Sequence, residues 1–319
     1  MTRCTLPGCY APDVACSMGE TELCHCKNWA SDDNNANDSD QKTLNELHLP
    51  WTGLAMGLTD VGFVSGCSKP KIIGVLGAAN AGKTSLLAAI YLLVSRGLAS
   101  KTNKRFAGSY SLNGWEAVST ALRWEPGLSP CFPAHTPSGS RRSPGLLHLA
   151  FQDIESNLLQ DYLFADAPGE WFGKWALNSD SPDADGARWL SENADIFLLI
   201  VDREALCGDS KGLARSELMR LTQRLAGEYR QRPVALVWTK GDISEDESME
   251  NLVREGIISA LTIAEEFKVQ VLINNDLQSK PEETISTLFN WIMKQTFMKG
   301  ILPSITQNTT DPFFMFRQG

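Results

Sequence analysis

A chain of 319 residues can hold one large domain with small attachments, and 43 % hydrophobic with 21 % charged residues is ordinary for a globular protein. The formal net charge of −9 argues against a protein whose main work is wrapping nucleic acid. No run of about eighteen apolar residues occurs, which excludes a membrane-spanning helix. The start, MTRCTLPGCY, lacks the basic head and apolar middle of a signal peptide, so the expected compartment is the cytoplasm.

The first zone, residues 1–29, is rich in cysteine. Cys4, Cys9, Cys16, Cys24 and Cys26 are five of the chain's eight cysteines. A reducing compartment argues against disulfides. So short a segment has no core of its own, and a tetrahedral zinc held by thiolates is the usual way to order one. The spacing is not the familiar paired C-x-x-C. Two readings therefore stay open: zinc on Cys4, Cys9, Cys16 and either Cys24 or Cys26, with His25 as a further donor, or free thiols. With zinc, the segment is expected to dock a partner. Cys67, Cys131 and Cys207 are scattered and read as small buried hydrophobes.

Residues 30–48 read as a flexible acidic linker. The stretch ASDDNNANDSDQK at 30–42 has no large apolar residue and cannot bury enough surface to offset its ordering entropy. Residues 49–298 read as one globular domain and 299–319 as a tail. Within the domain, KIIGVL at 71–76 is a buried strand, and 84–95 is a helix with Leu86, Leu87, Ile90 and Val94 as its apolar positions. A folded insert in which Trp115 and Trp124 pack comes next, followed by paired strands at 146–151 and 158–165. Strand 196–202, helix 212–230, strand 233–238, helix 249–267, strand 269–273 and helix 282–294 complete the series. Such alternation predicts an α/β fold, a mainly parallel sheet with helices on both faces, whose ligand sits at the carboxyl ends of the strands.

The motifs fall at those ends. Gly77-Ala-Ala-Asn80-Ala81-Gly82-Lys83-Thr84 has the P-loop spacing, between a predicted strand and a predicted helix. Its glycines let successive N–H groups turn inward on phosphate oxygens, and the helix N-terminus adds its dipole. Lys83 reaches the β- and γ-phosphates and the Thr84 hydroxyl coordinates Mg²⁺, with Asn80, Ala81 and Ser85 completing the cradle. In Asp166-Ala-Pro-Gly169-Glu170, the carboxylate of Asp166 can hold Mg²⁺ through water. The Gly169 N–H can touch the γ-phosphate, so this loop can sense its loss. In Thr239-Lys240-Gly241-Asp242, the Asp242 carboxylate can accept from N1–H and the 2-amino group of guanine, a donor pair that adenine lacks. The stem of Lys240 can lie along the base.

P-loop, DxPG, a buried strand ending at Asp202 and then TKGD, in that order, resemble the TRAFAC class of P-loop GTPases over about residues 70–298. The resemblance implies a P-loop GTPase domain that binds GTP or GDP with Mg²⁺. The cysteine-rich start, LPWTG at 49–53, GAANAGKTS and DAPGEW are similar to a bacterial group called double-GTPases. That likeness implies work in multi-protein systems, bacterial anti-phage defence among them, with a protein partner or effector, or self-association through the switch regions. Two departures stand out. Thr239 replaces the usual asparagine, a change expected to weaken the ties between base loop and P-loop. Ile273-Asn274-Asn275-Asp276 replaces the usual Ser-Ala-Lys.

By the same resemblance, the long interval between Thr84 and Asp166 holds an enlarged switch I insert. Thr136 is its candidate switch threonine on Mg²⁺, with a plain turn threonine equally open. Arg141 or Arg142 can supply a charge-stabilising arginine or form a solvated basic loop. Glu170 sits where small GTPases carry a water-orienting glutamine, and is either catalytic or a structural or partner contact. Lys83, Thr136 and Glu170 are thus the candidate catalytic set of a slow GTPase that gates a partner. Two rivals remain: a nucleotide-loaded assembly module with negligible hydrolysis, and a P-loop ATPase in which Asp202 holds Mg²⁺ and Glu204 is the acid/base.

Overall fold

The computed structural model describes residues 54–66, 68–97, 103–123, 131–133, 144–243, 247–271 and 281–295, together with 3–4, 11, 16, 18 and 22–30. Cys9, Cys67, Trp124, Thr136, Arg141, Arg142, residues 273–276, the linker from 31 onward and the tail lie outside the described residues. The chain divides into two compact units, Met1–Pro50 and Trp51–Gly319. In the first, Arg3–Cys4 pairs antiparallel with Trp29–Ala30, which sets Cys4 opposite Trp29, and one 3-10 turn spans Leu23–His25.

The second unit is a three-layer α/β structure. Its strands are β1 (Lys71–Leu76), β2 (Lys104–Gly108), β3 (Gly145–Asp153), β4 (Leu159–Asp166), β5 (Ile196–Asp202), β6 (Val234–Thr239) and β7 (Glu265–Lys268). They form one sheet in the order β2-β3-β4-β1-β5-β6-β7. The pairs from β4 through β7 are parallel, and β3 runs antiparallel to both its neighbours. Among the described residues, besides a single helical turn at Val61–Val64, the helices are α1 (Lys83–Ser95), α2 (Leu112–Ser119), α3 (Gly169–Leu177), α4 (Asp185–Asn193), α5 (Arg203–Cys207), α6 (Lys211–Glu228), α7 (Glu247–Ala260) and α8 (Pro281–Lys294).

The run KIIGVL is buried at every position because β1 lies mid-sheet with both faces covered. Ile73 and Val75 pack into the core shared with α1, α2 and α8, while Ile72 and Leu76 pack into the core shared with α3, α4, α6 and α7. The period of two thus assigns alternate side chains to opposite layers. The insert between α1 and β3 adds the edge strand β2 and helix α2. Trp115 of α2 is fully buried, stacks on Tyr91 of α1 at 5.5 Å, and donates its indole N–H to the His148 carbonyl at 2.8 Å. The His148 Nδ1 accepts from the Tyr110 N–H at 3.0 Å, so its Nε2 carries the proton and donates to Asp161 at 2.9 Å.

Two expected elements shift. The helix expected over 249–267 ends at Ala260, and β7 lies at Glu265–Lys268; of the strand expected over 269–273, residues 269–271 are not strand and 272–273 lie outside the described residues. Strand β7 is the sheet's edge, where three of its four side chains, Glu265, Glu266 and Lys268, meet solvent, so it has no apolar run to announce it. The apolar stretch after it marks the crossing over the sheet's carboxyl edge, with Val269 and Gln270 buried there. The cysteines also need correction: Cys131 and Cys207 are exposed thiols, not buried ones. Among the described residues no helix is long and apolar enough to cross a membrane.

Candidate functional site

Strand β1 ends at Leu76, and the chain turns through the P-loop into α1. Gly82 caps that helix with φ +84°, a left-handed conformation that glycine adopts without a Cβ penalty. Lys83 is buried, and its ammonium donates to the Gly77 and Ala78 carbonyls at 3.1 and 2.7 Å, so the side chain arches back over its own loop. Burial pushes its pKa down to about 8, with the carboxylates of Asp166 and Glu170 pulling the other way. The Phe172 ring lies 5.9 Å from the same ammonium.

The Thr84 hydroxyl donates to the Asp166 carboxylate at 3.0 Å. A hydroxyl on the first helical turn and a carboxylate at the end of β4, side by side, fit a Mg²⁺ site, since both offer the hard oxygen atoms that ion takes. The DAPGE loop then presses on the P-loop. A Cβ at Gly169 would sit 2.1 Å from the Ala79 nitrogen, so no residue but glycine fits without moving one loop or the other. Helix α3 begins at Gly169 and is held down by Trp171, Phe172 and Trp175, all buried.

Beyond β6 lies the base loop. The Thr239 hydroxyl is buried and donates toward the Ala81 carbonyl at 2.8 Å, with the Val201 carbonyl at 3.2 Å. Threonine therefore makes a direct bond between base loop and P-loop. Lys240 adopts φ +55°, and its ammonium bridges Asp202 at 2.7 Å and Glu204 at 2.8 Å. Burial opposes its charge, but the two carboxylates prevail, so its pKa lies above that of an ordinary lysine. Asp202 also caps α5, accepting from the Glu204 and Ala205 N–H groups. The two carboxylates of the rival ATPase reading are thus engaged in holding Lys240 and a helix start.

One cavity of about 420 Å³ joins these parts. Its lining runs from Asn80 to Leu86 on the P-loop, through Pro168 and Gly169, to Thr239, Lys240 and Asp242. Phe132, Ile243, Val269 and Val271 line it too and were not singled out in the sequence. For Phe132, the signal was an aromatic residue inside the proline-rich insert. For Val269 and Val271, it was alternation with Gln270, read as a strand. Asp166 and Glu170 border the same site beside Lys83, while Thr136 lies outside the described residues. In the other unit, Cys16, Cys24 and Cys26 form no disulfide, and donor atoms of Glu22, Cys24 and His25 lie within 4.8 Å of one another, all three exposed.

A family model described as Double-GTPase 2 matches residues 71–292, which takes in every strand from β1 to β7 and all three loops of the cavity; the N-terminal unit lies outside the match. No curated protein matches the chain.

Proposed function

The chain belongs to the Double-GTPase 2 family, and from that premise we propose that it is a Mg²⁺-dependent switch that hydrolyses GTP to GDP and phosphate. The family supports a GTP-binding, GTPase-like protein. The finer reading rests on one observation: the phosphate loop, the DAPGE loop and the Asp242 loop all open into one cavity. In this reading Lys83 leaves the Gly77 and Ala78 carbonyls for the β- and γ-phosphate oxygens. The N–H groups from Asn80 to Ser85 cradle the α- and β-phosphates, and Gly169 offers its N–H to the γ-phosphate. Thr84 and Asp166 hold Mg²⁺, which when bound neutralises charge that develops on the phosphates. Asp242 accepts from the guanine edge. Glu170 stands beside Lys83 and orients the attacking water, and Thr136 is kept as the candidate switch threonine.

The test is binding and turnover of GTP against ATP with Mg²⁺, for the wild type beside Lys83→Ala and Asp242→Asn. Tighter binding of GTP, weakened roughly 10- to 100-fold by Asp242→Asn, is the expected result, since a charged hydrogen-bond partner is lost. Equal use of ATP, indifferent to Asp242, would return attention to Asp202 and Glu204.

A second reading, an assembly module that stays nucleotide-loaded, draws on the anchoring of α3 by three buried aromatic side chains. Turnover at background in the wild type, unchanged in Glu170→Ala, would select it. We extend the first reading to gating of a protein partner, bacterial defence included, and to self-association through the switch regions. A change in molecular mass between GDP and a non-hydrolysable GTP analogue tests the self-association. A zinc in the N-terminal unit is supported by the Glu22, Cys24 and His25 cluster. Metal analysis of the full chain, beside Cys24→Ser, tests it.

A further inference from the structure

Arg203 does not line the nucleotide cavity, and it is almost fully buried, with 2 % of its surface exposed. Its guanidinium faces two acceptors at once. Nε donates to the Glu250 carboxylate at 2.6 Å, and Nη1 donates to the Gly241 carbonyl at 3.1 Å. Glu250 is itself buried on α7 and is further approached by Lys268 at 3.2 Å. Gly241 is the residue before Asp242, and its own N–H donates to the Val269 carbonyl at 3.1 Å. Both sides of this one residue are therefore tied, the carbonyl to Arg203 and the N–H to the chain after β7.

A buried ion pair is a weak device for stability, because desolvation of both charges offsets much of their attraction. What a planar fork supplies is geometry: donors at fixed angles hold two acceptors in fixed relation. Here the relation is between α7 and the peptide that leads into Asp242. We propose that Arg203 is a positioning residue for guanine recognition, which, braced by Glu250, holds the Gly241 carbonyl and so aims the Asp242 carboxylate into the cavity. The inference rests on the assignment of Asp242 to the guanine edge. It adds a residue that never touches the nucleotide but sets how well the base is read. The tripeptide Asp202-Arg203-Glu204 thereby acts as a bracket, its two carboxylates on Lys240 and its guanidinium on Gly241.

The experiment measures binding of GDP, IDP and ADP to the full chain in wild type, Arg203→Lys, Arg203→Ala and Glu250→Gln. IDP keeps N1–H but lacks the 2-amino group, so the GDP-to-IDP ratio reports the bond to Asp242 directly. With Arg203→Lys, one ammonium cannot reach both acceptors. GDP affinity is expected to fall roughly 10- to 100-fold and IDP affinity by less, since it has only the N1–H bond to lose, so the GDP preference over IDP shrinks, while ADP changes less than about threefold. Glu250→Gln is expected to fall between that variant and the wild type. Parallel weakening of all three nucleotides would show Arg203 to be merely structural, and an unchanged GDP-to-IDP ratio would equally overturn the proposal. A wild type without preference for GDP over ADP would remove the guanine assignment, and this inference with it. If Arg203→Ala does not fold, Arg203→Lys, which keeps the charge facing Glu250, carries the test.

Discussion

Lys83 has a pKa of about 8 in a position where burial outweighs the help of two carboxylates. Contact with phosphate oxygens restores the proton, so nucleotide affinity is full below pH 8. It falls as the pH rises through that value, by about tenfold per unit. The nucleotide-free fold behaves in the opposite sense. Between about 8 and the ordinary lysine value of 10.5, the unfolded chain binds the proton that the folded one has lost, so stability rises with pH. Titration of GDP affinity from pH 7 to 9 and of thermal unfolding over the same range, in wild type and Lys83→Ala, checks both signs; a slope that survives in the variant belongs to another group. Gly169→Ala is a second prediction at this scale. Its methyl would enter the Ala79 backbone, so a loss of about 1–3 kcal/mol in stability and failure to retain nucleotide are expected in denaturant and binding assays. Lys83, Thr84, Asp166 and Asp242 were legible because their chemistry is local and their spacing fixed. The bond that Thr239 makes to Ala81 was not, since it spans two loops far apart in sequence and appears only when β1 and β6 lie in one sheet.

Among the elements, β4 carries an oddity that can be measured. Tyr162 is fully buried, its hydroxyl has no hydrogen-bond partner among the described residues, and burial pushes its pKa up. Tyr162→Phe removes that unmet group while keeping the ring beneath the Lys71 ammonium at 5.4 Å, so stability is expected to be unchanged or to rise by up to about 1 kcal/mol. A loss larger than that in denaturant titration would reveal a partner for the hydroxyl. Trp175→Ala, by contrast, empties a site in the layer of α3, α4, α6 and α7, with an expected loss of about 3–5 kcal/mol in the same assay. The mid-sheet strands β1, β5 and β6 could be read from sequence because burial on both faces demands an unbroken apolar run. The edges β2 and β7 could not. One free side leaves their composition polar, and the pattern of EEFK does not distinguish a strand from the end of a helix.

At the scale of the molecule, the chain is two compact units, and every residue of the cavity belongs to the second. Removal of residues 1–50 is therefore expected to change GDP affinity less than about twofold, a difference under 0.5 kcal/mol. A larger drop in direct binding would make the cysteine-rich unit part of nucleotide retention. The order of motifs along the chain already announced this layout, because a parallel sheet collects its carboxyl ends on one side. The insert was less legible, since Trp115 and His148 meet across a stretch whose length sequence alone does not shorten.

The anchoring of α3 bears on how such a machine can move. Ala165 at the end of β4 is fully buried, and Trp171 in the first turns of α3 is buried as well. The chain between them is pinned at both ends, like a short cable between two walls. Between them Ala167, Pro168 and Gly169 are buried too, so the span has no slack to swing. A helix held in this way cannot be thrown outward as a unit, so a contact made at Gly169 is felt within that short span.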